Sequence, residues 1–286
     1  MSKIRYSEMF YSIQGEGKYV GVPSVFLRLF GCNFECAGFG QKRNQPLLSR
    51  DKMPWKQLDV SKYKSIQELP IMPIGCDSSA SWAKEYMRLS TFEDSSVIAK
   101  KVVNLCPDNS LIPSTKQDVH LILTGGEPLM WQKQIPDLLD DEELIEDLKN
   151  ITFETNSTFA LTDSFVDYLE SLSTYVTITW ACSPKLSLSG EVRDKAIRPE
   201  NWLQYSEISN SNLYLKFVVE DKIDVEEVKL ITRNLPKQYY IYLMSVGGTL
   251  EQLQQNEKRV CDLAMENGYK FSPRLHVQLF GNKWGT

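Results

Sequence analysis

The chain has 286 residues, of which 42% are hydrophobic and 24% charged, the proportions of a soluble globular protein with room for one barrel-sized domain or two smaller ones. A net charge of -5 argues against a general grip on nucleic acid, which needs a basic surplus. No apolar run approaches the roughly 18 residues of a membrane span, and Met1-Ser2-Lys3-Ile4-Arg5 leads into a strand-like pattern without the apolar core of a signal peptide.

Residues 6–12 read as a strand that runs into Ser12-Ile13-Gln14-Gly15-Glu16-Gly17, a glycine-punctuated turn. A second strand, 24–30, delivers Cys32 and Cys36 onto the loop that follows it. Residues 95–105 have Val97, Ile98, Val102 and Leu105 at helical spacing, behind a capping serine. The strand 119–123 opens into Thr124-Gly125-Gly126-Glu127-Pro128, and the acidic, leucine-rich 135–148 reads as a helix broken near Asp140-Asp141. A strand at 151–154 ends in Thr155-Asn156, and a helix follows at 163–172. The strand 176–181 ends in Cys182-Ser183-Pro184-Lys185. Strands at 213–219 and 240–244 flank a helix at 225–235, and a long helix at 250–267 precedes a C-terminal segment at 275–281. Strand followed by helix, repeated about six times, implies a right-handedly wound parallel sheet, either open or curled into a full or partial barrel.

The polar clusters each follow a strand, which would put them together at the carboxyl rim, the ligand face of parallel α/β folds. Gly125-Gly126 lets backbone approach a ligand closely, although the pair also suits a plain strand-to-helix turn. Ser183-Pro184-Lys185 offers a hydroxyl and an ammonium on a rigid turn, suited to ribose or carboxylate. Six cysteines without a secretory signal point to a reducing, cytoplasmic setting, where thiols serve as ligands more readily than as disulfides. Two thiolates four positions apart on a loop can share one metal centre, and three with no fourth ligand suit a [4Fe–4S] cluster that keeps one iron open.

With these residues in view the chain resembles the radical S-adenosylmethionine superfamily, and within it the 7-carboxy-7-deazaguanine synthase family of the queuosine pathway. The matching stretches are Ser12-Ile13-Gln14-Gly15-Glu16-Gly17, Arg28 with Gly31-Cys32, Thr124-Gly125-Gly126-Glu127-Pro128 and Glu154-Thr155-Asn156. They continue in Ser183-Pro184-Lys185, Leu275-His276 and Phe280-Gly281-Asn282-Lys283. The Gln-Gly-Glu-Gly turn and the Gly-Asn-Lys tail are the specific ones, whereas Gly-Gly-Glu-Pro is shared across the superfamily. The resemblance implies an α/β fold of the partial (β/α)6 TIM-barrel type, forming a single domain over residues 1–286.

One departure stands out. The family places its third cluster cysteine three residues after the second, where this chain has Phe39. The family's Asp-Thr/Ser flank and following Trp reappear at Cys76-Asp77-Ser78 and Trp82. The resemblance therefore implies an inserted segment at about 37–75, with Cys32, Cys36 and Cys76 holding the [4Fe–4S] cluster. A lengthened loop costs only about 0.6 kcal/mol for each doubling. Cys106, Cys182 and Cys261 lack these flanks and read as structural. Lys42, Arg43, Arg50, Lys52, Lys56, Lys62 and Lys64 make the insertion locally basic, either a solvated loop or a landing place for an acidic electron donor such as flavodoxin.

The remaining roles are also carried by the resemblance. S-adenosylmethionine would meet Gly75, Gly126, Glu127 and Asn156, together with Ser183, Pro184, Lys185 and Met244. The substrate, 6-carboxy-5,6,7,8-tetrahydropterin, would meet Ile13, Gln14, Gly15 and Glu16, together with Arg28, Thr124 and Thr286. Mg²⁺ would bridge its carboxylate to the hydroxyl of Ser78. The implied reaction is a radical ring contraction to 7-carboxy-7-deazaguanine with loss of ammonia, by a cytoplasmic homodimer that contacts neither membrane nor nucleic acid directly. Two other classes remain open: an activating enzyme that makes a glycyl radical on a partner protein, and a non-enzymatic zinc module built on the same cysteines.

Overall fold

The computed structural model describes residues 2–286. Nine strands form one sheet in the order β3-β1-β2-β4-β5-β6-β7-β8-β9. β2 (Pro23–Leu29), β4 (His120–Gly125), β5 (Asn150–Thr155), β6 (Thr177–Cys182), β7 (Ser211–Val219), β8 (Tyr240–Ser245) and β9 (Lys270–Ser272) run parallel. β1 (Lys3–Ile13) is antiparallel to both β2 and the short edge strand β3 (Thr91–Asp94). The sheet curls without closing, and six strand-to-helix units make a partial (β/α)6 barrel.

Alternation along the strands sets what faces the barrel interior. Val25, Leu27 and Leu29 of β2, Leu121 and Leu123 of β4, and Leu215, Phe217 and Val219 of β7 point outward into the main core. The residues between them turn inward, and the stacked pair Phe10 and Phe26 packs there on Ile122. Tyr214 and Tyr242 pack with Ala181 on the same inner side. α1 (Pro54–Gln57) packs in a separate cluster, while the outer core is covered by helices whose apolar stripes match it: α2 (Ser95–Leu105) buries Ile98, Ala99 and Val102. α3 (Ile135–Leu139) and α4 (Glu142–Ile145) are separated where Asp141 accepts the Glu143 N–H at 3.2 Å, the break expected near Asp140-Asp141. α5 (Asp163–Leu172) buries Phe165, Leu169 and Leu172. α6 (Arg193–Ala196) and α7 (Pro199–Glu207) were not anticipated, and α7 stacks Tyr205 on Trp180 at 4.6 Å between ring centroids. α8 (Lys222–Thr232) and α9 (Leu250–Glu266) each open on a capping box, at Asp221/Asp224 and Thr249/Gln252. The chain then turns through α10 (Leu275–Phe280).

Two expectations need correcting. The sheet is not parallel throughout, because a hairpin connects β1 to β2 and a two-strand hairpin is necessarily antiparallel. For the same reason Gln14, Gly15 and Glu16 do not come from the carboxyl rim. Ile13 pairs with Pro23, and Ser24 pairs with His120 at the start of β4, so the turn lies beside the amino ends of β2 and β4 and reaches the interior from there.

The segment 37–75, which the sequence reading took as an insertion, is not a solvated loop. Met53, Trp55, Val60, Ile66, Leu69 and Met72 form a hydrophobic cluster of their own with Ala80, Trp82 and Tyr86. Trp55 is fully buried and meets Trp82 edge-on at 5.0 Å. Several of its basic side chains are paired: Arg43 with Glu220 and Asp224 at the start of α8, Arg50 with Glu35, Lys56 with Glu85. Those pairings leave less of a uniform basic face for an acidic partner.

Candidate active site

The inward faces of β1, β2, β4, β5, β6, β7 and β8 line one cavity. Glu8 and Phe10 reach it from β1, Phe26 and Arg28 from β2, and Lys216 from β7, each at the period of two that the strand imposes. The inserted segment adds Phe39, Ile71 and Gly75 to the wall, and the chain's C-terminal stretch adds His276, Asn282 and Trp284.

At one end of the cavity stand Cys32, Cys36 and Cys76, all free thiols, packed around Phe34 and Phe39. Glu191 Oε1 holds their loop by accepting the N–H groups of Glu35 at 2.9 Å and Cys36 at 2.7 Å. Phe34 N–H donates to Cys32 Sγ at 3.4 Å, and Asn156 Nδ2 lies 3.8 Å from the same sulfur. Burial pushes all three thiols up, Cys32 to about 12. They are therefore neutral until a metal's charge draws the proton off. Gly126 comes so close here that a Cβ would stand 2.1 Å from the Gly31 carbonyl oxygen and 3.0 Å from Cys32 Cβ. Three thiols at an apolar end, with one backbone N–H and one side-chain amide aimed at the Cys32 sulfur, fit an iron–sulfur cluster with three protein ligands. Among the described residues no group of three or more His, Cys, Asp or Glu side chains converges on a single-ion position. That does not suit a mononuclear zinc, whose ligands crowd one atom at about 2.3 Å.

The rest of the cavity is polar and heavily cross-linked. Gln14 Nε2 donates to Glu154 Oε1 at 3.0 Å and accepts the Glu16 N–H on its own oxygen at 2.9 Å, while Thr124 Oγ1 donates to Glu154 Oε2 at 2.8 Å. Arg28 Nε donates to Glu8 Oε1 at 2.8 Å, and its guanidinium lies over the Phe10 ring. Glu16 takes Lys216 on one oxygen and Arg274 Nε on the other at 3.2 Å. Burial alone would raise Glu16, but Lys216 and Arg274 hold its carboxyl well below the usual carboxylate range. His276 Nε2 is 3.9 Å from Glu16, yet burial lowers its pKa to about 4, so the ring is neutral and the contact is not an ion pair.

Most of the residues picked out from the sequence line this cavity: the trio of cysteines, Ser78, Arg28, Thr124, Thr286, Ile13 to Glu16, and on the other wall Gly75, Gly126, Asn156, Ser183, Lys185 and Met244. Glu127 and Pro184 do not. Pro184 is buried in the turn. The Glu127 carboxylate accepts the Leu129 N–H at 3.0 Å, the Thr155 hydroxyl at 2.7 Å and the Asn156 N–H at 2.7 Å. It braces the loops beneath the cavity, and burial lifts its pKa to about 7. Four residues escaped the sequence reading: Glu8, Lys216, Arg274 and Glu191. Lys216 carried a signal, the single charge in the apolar run of β7, whereas Glu8 is one of several polar residues of β1. Arg274 and Glu191 carried none, because their partners are remote in sequence.

No protein-family model matches the chain. It is similar to three proteins named 7-carboxy-7-deazaguanine synthase. The one from Halobacterium salinarum is 29% identical, over 96% of this chain and 90% of that protein. The one from Pyrobaculum aerophilum is 26% identical over 99% and 97%, and the one from Rhodopirellula baltica 27% over 100% and 90%. In fold it is similar to the crystal structure of QueE from Escherichia coli, with a TM-score of 0.54 and 18% identity over 96% of this chain and 95% of that one.

Proposed function

We propose that this chain is a 7-carboxy-7-deazaguanine synthase, a radical S-adenosylmethionine lyase that contracts the ring of 6-carboxy-5,6,7,8-tetrahydropterin and releases ammonia. The observation that carries the reading is the meeting, in one cavity, of the cysteine trio with the Gln14–Glu16 turn and Arg28, in a chain similar to named synthases along nearly its whole length.

When bound, the [4Fe–4S] cluster, S-adenosylmethionine and Mg²⁺ supply one-electron reduction, hydrogen-atom abstraction and a hard Lewis acid. The chain's own part is placement. Cys32, Cys36 and Cys76 would hold the cluster. Gly75, Gly126, Asn156, Ser183, Lys185 and Met244 border the space for S-adenosylmethionine, where Lys185 Nζ already donates to Ser183 Oγ at 3.0 Å. Arg28, oriented by Glu8, presents its remaining N–H donors to the substrate carboxylate. Gln14 and Thr124 share Glu154, so a pterin edge with both donors and acceptors finds complementary groups there. Glu16 is committed to Lys216 and Arg274, so it shapes the pocket as a fixed charge and is not free to move a proton. Ser78 Oγ, 3.2 Å from Asp77 Oδ1, is the hydroxyl offered to Mg²⁺. Phe34, Phe39 and Trp82 make the cluster end apolar and keep bulk water from it.

The chain is read as one domain over residues 1–286 with the 37–75 insertion folded onto it. A flavodoxin-type donor, a homodimer and a cytoplasmic setting complete the reading on the family resemblance alone; among the described residues no helix is long and apolar enough to cross a membrane. An activating enzyme for a partner protein is not favoured, since the matching relatives are synthases of a small molecule.

The test is turnover. Protein reconstituted anaerobically with iron and sulfide, then given dithionite, S-adenosylmethionine, Mg²⁺ and the tetrahydropterin, yields 7-carboxy-7-deazaguanine and ammonia in equal amounts by mass spectrometry. Cleavage of S-adenosylmethionine with no deazaguanine formed would overturn the synthase reading in favour of an activase.

A further inference from the structure

Arg274 lies between β9 and α10 and is only 6% exposed. Its guanidinium serves three separate segments. Nε donates to Glu16 Oε1 at 3.2 Å in the turn after β1, and Nη2 donates to Asp77 Oδ2 at 2.6 Å where the insertion returns to the barrel. Nη1 donates to the Gly247 carbonyl in the loop after β8. A planar fork spreads its donors over three nitrogens in fixed directions, whereas the three donors of an ammonium leave one atom and rotate together.

The place of this fork matters because of the insertion. A third cysteine three positions from the second is confined by the chain itself. Cys76 is 40 positions beyond Cys36, so covalent connection no longer places it and the entropy of closing that loop must be met by contacts. Backbone pins stand on either side: Gly75 N–H donates to Phe39 O at 2.8 Å, and Gly31 N–H to Ser81 O at 2.7 Å. Between those pins Asp77 reaches back to the barrel through Arg274.

We propose that Arg274 is a positioning residue. Through Asp77 it sets Cys76 and Ser78 against the barrel, and through Glu16 it sets the substrate-facing turn, so that the two walls of the cavity are located by one side chain. The proposal rests on reading Cys76 as a cluster ligand.

Hydrogen exchange on the full-length protein as isolated reads the coupling without any turnover. Arg274→Gln speeds exchange about tenfold or more in peptides covering both 75–81 and 14–17. Asp77→Asn speeds it in 75–81 alone. After anaerobic loading, both variants release iron to a chelator about tenfold faster than the parent, and the double variant is no faster than Arg274→Gln, because both substitutions remove one connection. Arg274→Lys recovers only part of the protection. Should Arg274→Gln fail to fold, Asp77→Asn and Arg274→Lys carry the test. Parental exchange in 75–81 of Asp77→Asn, or additive iron release in the double variant, would overturn the proposal while leaving the synthase reading intact. A Cys76→Ala variant that keeps its full iron would instead remove the ligand assignment on which the proposal depends.

Discussion

Trp284 donates its indole Nε1–H to the Leu69 carbonyl at 3.1 Å, and its ring packs on the hydrophobic cluster of the inserted segment. The C-terminal stretch and the insertion are thereby one wall, and the first turn of α9 also meets the insertion, where Gln252 Nε2 donates to Pro73 O at 2.9 Å. Trp284→Ala removes half-buried aromatic area and leaves a carbonyl without its donor, at a cost of about 1–3 kcal/mol. Thermal unfolding gives the size, and limited proteolysis within 37–75 gives the place. Cleavage at parental rates would mean that the insertion holds its position without the tail.

The cysteines divide sharply. Cys32→Ala, Cys36→Ala and Cys76→Ala each take a thiol from the apolar end of the cavity and lose cluster iron and all S-adenosylmethionine cleavage. Cys106→Ala and Cys261→Ala keep both, since Cys106 caps α2 in the outer core and Cys261 lies on α9. Iron and sulfide analysis with the visible absorption of the reconstituted proteins decides it.

Both histidines are held below their ordinary value by burial, His276 to about 4. The folded protein therefore keeps them neutral, and the unfolded chain takes up protons first as pH falls below about 6.5. For His276 the contribution to stability is complete above that pH and is lost between roughly 6.5 and 4, by up to about 3 kcal/mol; His120 adds to the loss in the same direction. Glu16, held low by Lys216 and Arg274, adds its own loss at more acid pH, below the ordinary Glu value of about 4.3. Urea midpoints at pH 7, 5.5 and 4.5 follow the first loss, and His276→Gln flattens it. An imidazole resonance of His276 titrating near 6.5 would contradict the burial argument.

Gly15 is where the C-terminal helix docks on the turn after β1. Its carbonyl accepts the Leu275 N–H at 2.9 Å, and an added Cβ would stand 2.1 Å from His276 Nδ1 and 2.9 Å from the His276 backbone nitrogen. The backbone atom cannot swing aside, so Gly15→Ala displaces α10 and costs about 1–3 kcal/mol. The KM for the pterin rises at least tenfold, while iron content stays at the parental level because the cysteine end is untouched. An unchanged KM would place α10 outside the substrate wall.

Much of this molecule was legible in the chain because it is local. The helices at 95–105 and 163–172 follow from apolar spacing, and the break before Glu142 from paired aspartates. The alternation in β2, β4 and β7 sorts side chains between the outer core and the interior, where Arg28 and Thr124 stand; the sequence pointed to those two through the family resemblance. The thiols at 32 and 36 are close enough in the chain to share a metal centre, a reading that the other motifs had to support. What tertiary structure decided is everything that depends on segments meeting. The direction of β1 is set by pairing, since a strand pattern reads the same in either direction. Charge counting took the insertion for a basic loop, but Arg43 and Lys56 find partners elsewhere in the fold, and Trp55 meets Trp82 beyond the insertion's end. Arg274 and Glu16 are 258 positions apart, and Arg274 and Asp77 197. No periodicity links residues so far apart; their contact exists because the curled sheet brings the turn after β1, the end of the insertion and the stretch before α10 to one point, where a buried cation is stable only with its anions beside it.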